Sequence, residues 1–139
     1  MLYLSGVKRH RKLLFALLAI FLIVLSLAVY WVFPVSFNKI QPDDVESIVL
    51  RSGTTGNRAE ITDEAGINDI IRIISACDLK RDSICMGRVG YIMRVEVSLH
   101  GGRTVSFYVN GSTRVEKGII AYCPVDGEID FDALNAYFD

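Results

Sequence analysis

Three cysteines, Cys77, Cys85 and Cys123, and two histidines, His10 and His100, are the side chains in this sequence best suited to holding a metal or attacking a substrate. Zinc sites draw their ligands from closely spaced pairs, and no C-x-x-C pair occurs here. A set of three Cys plus His100 therefore lacks the expected spacing. Cys77 lies seven residues after Ile70 and three after Ile74, so it continues an apolar stripe and reads as a small buried hydrophobe. Cys123 ends an apolar run and reads the same way. Cys85 falls in a loop or at an edge, and a thiol-dependent enzyme, the alternative reading of this chain, would use it. In an oxidising compartment three cysteines permit one disulfide with one thiol left over, and no pairing is preferred.

The acids at every second position in Asp126-Gly-Glu128-Ile-Asp130-Phe-Asp132 suggest a calcium loop. The spacing does not fit, because the loop glycine belongs at the sixth position and a bidentate glutamate at the twelfth. A turn followed by a helix N-cap explains the same acids. His100 directly precedes Gly101-Gly102 on the polar phase of its segment, as a solvent-facing hairpin residue would. The GTTG of Ser52 to Asn57 has the composition of an anion-binding loop, but also that of a hairpin turn. Asn110-Gly111-Ser112 matches a glycosylation sequon, and a hairpin turn explains it as well. No G-x-S-x-G, H-E-x-x-H or P-loop is present. No nucleophile stands beside a base. The sequence thus names no catalytic residue, no metal ligand and no cofactor.

The elements that would position any site begin with an apolar helix. From Leu13 to Phe33 the chain has no charge, no Pro and no Gly. Such a run is long enough to cross the ~30 Å hydrocarbon core of a bilayer. Lys8, Arg9, Arg11 and Lys12 precede it, and basic flanks stay on the cytoplasmic side. Tyr30, Trp31 and Phe33 supply an aromatic belt at the far interface. Ser26-Leu27-Ala28 also resembles a signal-peptide cleavage site, which makes a secreted domain, cut near Ala28, the competing expectation. The apolar run continues past Ala28 through Phe33, beyond the ~7–15 residues of a usual signal core, and favours a retained anchor.

The rest carries eleven Lys and Arg against sixteen Asp and Glu, a net charge of −5, which argues against a nucleic-acid partner. Residues 34–44 read as a linker. Val45 to Arg51 and Arg58 to Ile61 read as strands around a glycine turn. Ile67, Ile70, Ile71 and Ile74 form the stripe of an amphipathic helix capped near Thr62-Asp63 and ending about Ala76. Leu79 to Met86 is a weaker strand, and Gly87 and Gly90 bracket a turn or bulge. Tyr91, Met93, Val95, Val97 and Leu99 alternate with polar residues, the clearest period-two pattern in the chain. Gly101-Gly102 predicts a two-residue hairpin turn, and Val105, Phe107 and Val109 continue the buried face. Short strands follow around Thr113 to Glu116 and Ile119 to Cys123, then a helix capped by Asp130 or Asp132. The fold class is α+β: a transmembrane helix, then a two-layer antiparallel β-meander with one inserted helix and a C-terminal helix. The expected organisation is a cytoplasmic basic N-terminus 1–12, a transmembrane helix 13–33, a linker 34–44 and an extracytoplasmic domain 45–139.

IVLRSGTTG, the ITD helix start, the hairpin GYIMRVEVSLHGGRTVSFYV and a short acidic C-terminal helix together resemble small membrane-anchored proteins of Gram-positive bacteria of the clostridial and bacillar kind. The resemblance implies an envelope location and carries over no activity and no site residues. The expected function is a membrane-anchored extracytoplasmic binding module, a sensor or accessory protein, whose partners are the bilayer and an envelope protein or peptide. Its candidate surface is the helix-free sheet face, with Ile92, Arg94, Glu96, Thr104, Ser106 and Tyr108 pointing outward. Lys8, Arg9, Arg11, Lys12, Tyr30 and Trp31 are the expected membrane-interface residues.

Overall fold

The computed structural model describes residues 3–86 and 90–139, with side chains of the first helix described from His10 onward. It divides into two compact units, Met1–Phe33 and Pro34–Asp139.

The first unit is one helix, α1 (Tyr3–Val32). Its stretch His10–Val32, 23 residues, is long and apolar enough to cross a membrane. None of that stretch is buried inside the protein, and Leu13, Leu14 and Phe15 are 60%, 63% and 65% exposed. Ser26 Oγ donates to the Leu22 carbonyl at 2.8 Å, so its hydroxyl is satisfied within the helix. Arg11 and Lys12 are exposed helical residues. The expected interface residues Lys8 and Arg9 have side chains outside the described residues, as does Gly87 of the proposed turn.

In the second unit, seven strands among the described residues form one antiparallel sheet. They are β1 (Val45–Ser52), β2 (Arg58–Ile61), β3 (Leu79–Ile84), β4 (Met93–Leu99), β5 (Thr104–Val109), β6 (Val115–Lys117) and β7 (Ile120–Pro124). Their spatial order is β2-β1-β4-β5-β6-β7-β3. The meander holds from β4 to β7, but β3 does not lie beside its sequence neighbours. It pairs with β7 at the far edge. The reason is α2 (Glu64–Ser75), whose twelve residues, roughly 18 Å of helix, carry the chain over the sheet from the β2 edge. Asp63 caps α2, its carboxylate accepting from the Gly66 amide at 2.8 Å.

Five isoleucines of α2 (Ile67, Ile70, Ile71, Ile73 and Ile74) are buried. They join a core with Ile48, Leu50, Val95, Val97 and Phe107 from the sheet. Each contributes roughly 1.5–3 kcal/mol of burial, which outweighs the several tenths lost to β-branching in a helix. The chain ends in α3 (Phe131–Asn135), capped by Asp130, and a final 3-10 turn. There the Tyr137 hydroxyl donates to Asp69 of α2 at 2.9 Å.

The 34–44 stretch, read as a linker, is instead part of this fold. Asn38 is 1% exposed, and its side-chain amide donates to the Ile74 and Cys77 carbonyls, each at 3.0 Å. Lys39 Nζ donates to the Ser75 carbonyl at 2.7 Å and pairs with Asp78 at 3.0 Å. The last turn of α2 has no glycine to close it, so these side chains supply donors its carbonyls would otherwise lack. Phe37 packs edge-on against Tyr122 and tilted against Phe107, ring centroids 5.0 and 5.5 Å away.

Two stability predictions follow from these contacts. Asn38→Ala removes the side-chain donor to the Ile74 carbonyl and one of the two to the Cys77 carbonyl, which keeps Lys39 Nζ at 3.3 Å, and should lower unfolding free energy by about 1–2 kcal/mol in chemical denaturation. At Tyr137, burial and the bond to Asp69 raise the phenol, while Arg72 and then Tyr137 lower the Asp69 carboxyl. The stabilisation is therefore lost as pH falls through the lowered Asp69 value or rises through the raised Tyr137 value. Tyr137→Phe should cost about 1 kcal/mol at neutral pH, with the gap to wild type closing below about pH 4 and above about pH 10.

Candidate interaction surface

Strand register decides which side chains share the face turned away from α2. Arg94 lies opposite Tyr108, Glu96 opposite Ser106, and Ser98 opposite Thr104. Ile92 precedes β4 on the same phase, and its amide donates to Asn110 Oδ1 at 2.9 Å. The six expected surface residues, Ile92, Arg94, Glu96, Thr104, Ser106 and Tyr108, thus share one face of neighbouring strands.

That face is open over β4 and β5 and closed farther along. Thr104 and Ser106 are exposed, whereas Glu116, opposite Tyr108 on β6, is 5% exposed and Ala121, opposite Glu116 on β7, is 0% exposed. The helix-free face is therefore not uniformly solvated. Tyr91 lies 5.0 Å from Tyr108, centroid to centroid, so Tyr108 is part of a packed pair rather than a lone projecting ring.

Two ion pairs run along the strands of this face, and Arg51 of β1 stands directly opposite Arg94 on it. Arg94 meets Glu96 at 2.5 Å, with both side chains partly exposed. Arg114 Nε meets Glu116 at 2.7 Å, and there the carboxylate is only 6% exposed. The bond to Glu116 pushes Arg114 above its usual range against a smaller loss from burial, and the Cys85 sulfur adds to the rise. The sequence reading missed Glu116 because its burial depends on the register between β5 and β6, and its own strand is three residues long.

The three cysteines are free. Cys77 is buried, and burial pushes its thiol up, so it stays protonated and packed. Cys85 and Cys123 are half-buried, and Cys85 lies beside Arg114. His100 is exposed in the β4–β5 turn. That turn is longer than expected. The Leu99 amide donates to the Arg103 carbonyl, so His100, Gly101 and Gly102 make a three-residue loop with both glycines at positive φ. Among the described residues, no three His, Cys, Asp or Glu side chains gather as metal ligands.

The GTTG loop has no free cradle of amides. The Gly53 amide donates to the Ile92 carbonyl at 2.8 Å, Thr55 to Ser52 Oγ at 3.2 Å, and Gly56 to the Ser52 carbonyl at 3.0 Å. Gly53 is required there, because a Cβ would stand 1.8 Å from the Tyr91 carbonyl oxygen.

On the α2 side, at the β4–β5 turn end, a cleft of about 570 Å³ opens between the Ser36–Gln41 segment and β5. Phe37, Ile40, Leu99 and Val105 give it apolar walls, and Lys39, Asp44, Arg103 and Lys117 give it charged ones. Lys39 is occupied by α2, and Lys117 Nζ sits 4.8 Å from the centroid of the Phe37 ring.

No protein-family model, curated protein or solved structure matches the chain.

Glu116→Gln keeps the side chain's shape and removes the charge that Arg114 faces. It should destabilise the domain by about 2 kcal/mol, because a buried member of an ion pair is lost. Glu96→Gln, at a partly exposed pair, should change stability by less than about 1 kcal/mol in the same denaturation assay.

Proposed function

We propose that this protein is a single-pass membrane protein, amino terminus in the cytoplasm, whose 34–139 domain is an extracytoplasmic binding module of the bacterial envelope. The observation that carries the reading is the apolar surface of α1. It presents 23 residues of hydrocarbon-matched length with no protein packed on them. Exposed to water, side chains such as Phe21 at 61% and Leu27 at 63% would make a continuous apolar patch far larger than soluble proteins carry. Arg11 and Lys12 at the start of the stretch support a cytoplasmic amino terminus.

The open sheet face supports binding as the domain's role. Glu96, Thr104 and Ser106 offer a charge and hydroxyls on adjacent strands, suited to hydrogen-bonding an envelope protein or peptide. Cys85 beside Arg114 is the feature that supports the enzyme alternative, a half-buried thiol placed next to a guanidinium.

Topology is tested by expressing the full chain with a carboxy-terminal tag and treating intact protoplasts with protease. The reading expects full-length protein in the membrane fraction and loss of the tag from outside. A product shortened by about 28 residues in the medium, as a signal-peptide cut would give, would replace the anchor with a secreted domain. Cys85→Ala should leave the cellular phenotype unchanged if the domain acts by binding, and match a deletion if it acts through the thiol.

A further inference from the structure

One end of the sheet gathers features that the proposed sheet-face binding does not use. Ile84, at the end of edge strand β3, lies opposite Ile120, and the next residue, Cys85, donates its amide to the Ile119 carbonyl at 2.8 Å. Met86 follows. Ile84, Met86 and Ile119 are 60%, 82% and 61% exposed, large apolar side chains brought together at one corner. Lys117 lies opposite Ile120, and it lines the same cleft as Arg103 and Ser36. Large apolar residues grouped in this way mark a contact surface.

The occupant is indicated by where the chain joins the domain. Ser36 and Phe37 line the cleft at this end, and Ser36 follows Val32, the last residue of α1, by four positions. Four residues span at most about 14 Å even when fully extended. With α1 in a bilayer, this end of the domain is held within reach of the headgroups. We infer that Ile84, Met86 and Ile119 form a lipid-contacting surface that enters the headgroup–acyl boundary of the same membrane, with Lys117 and Arg103 beside them at phosphate level. The inference rests on the anchor proposed above. Asp43 and Asp44 share this end, so net charge does not draw it to the membrane. The apolar contact carries the binding, and the two cations act at short range on phosphates.

The two ends of β7 provide the test, since Ile119 precedes the strand and Val125, 49% exposed, follows it. They are separated by about 20 Å of extended chain. The full chain, with Trp31→Phe, is reconstituted in phosphatidylcholine nanodiscs with and without brominated acyl chains. A single tryptophan is introduced as Ile119→Trp, Met86→Trp or Val125→Trp, all at exposed sites. Tryptophans at 119 and 86 should lose roughly half their emission to bromine, as side chains about 5–10 Å into the boundary would, and the one at 125 should lose none.

Equal quenching at 119 and 125, or none at 119 and 86 while the protein stays in the disc, overturns the lipid contact and leaves the anchor standing. A blue-shifted but unquenched emission at 119 that depends on protein concentration overturns it in favour of a second copy of the chain. Protein that is not retained in the disc overturns the anchor itself.

Discussion

The carbonyls at the end of α2 need donors, and the chain before the sheet provides them. Asn38 and Lys39 reach Ile74, Ser75 and Cys77, while Phe37 wedges between Phe107 and Tyr122. A helix end closed by a distant segment makes that segment part of the fold. The domain therefore begins at Val35, which packs against the core, rather than at β1. Val35 follows the end of α1 by three positions, a chain span of at most about 11 Å. The β4–β5 turn and the β6–β7 turn belong to the same end of the sheet.

The two faces and the ends of the sheet divide the remaining work. The α2 face is an isoleucine-rich core. The opposite face carries two ion pairs along its strands, one closed at Glu116 and one open at Glu96. The corner carrying Ile84, Met86 and Ile119 has a different chemistry, suited to an apolar medium.

Local pattern made much of this legible. The isoleucine stripe gave α2 its buried side, the Asp63 and Asp130 caps matched helix starts, and the alternation from Met93 to Leu99 set the phase of the exposed face. All six side chains of the candidate surface lie on that phase. What the sequence did not disclose depends on contacts between distant segments. Nothing local in SFNKIQP distinguishes a linker from a capping segment, because the carbonyls it serves lie 36 to 39 positions away. The placement of β3 at the far edge depends on where α2 delivers the chain. The burial of Glu116 depends on register. The β4–β5 loop gained a residue because Arg103 pairs with Leu99 rather than with His100.

The central claim is that the chain leaving α1 is locked into the domain through Phe37, Asn38 and Lys39. Limited trypsin treatment of the full-length protein in membranes tests it directly, because Lys39 is the first cleavable side chain beyond the apolar helix. The account predicts that Lys39 resists cleavage while the domain is folded, and that its loss tracks global unfolding as denaturant is added. Cleavage at Lys39 that releases a still-folded 40–139 fragment would contradict it and return the segment to the role of a linker.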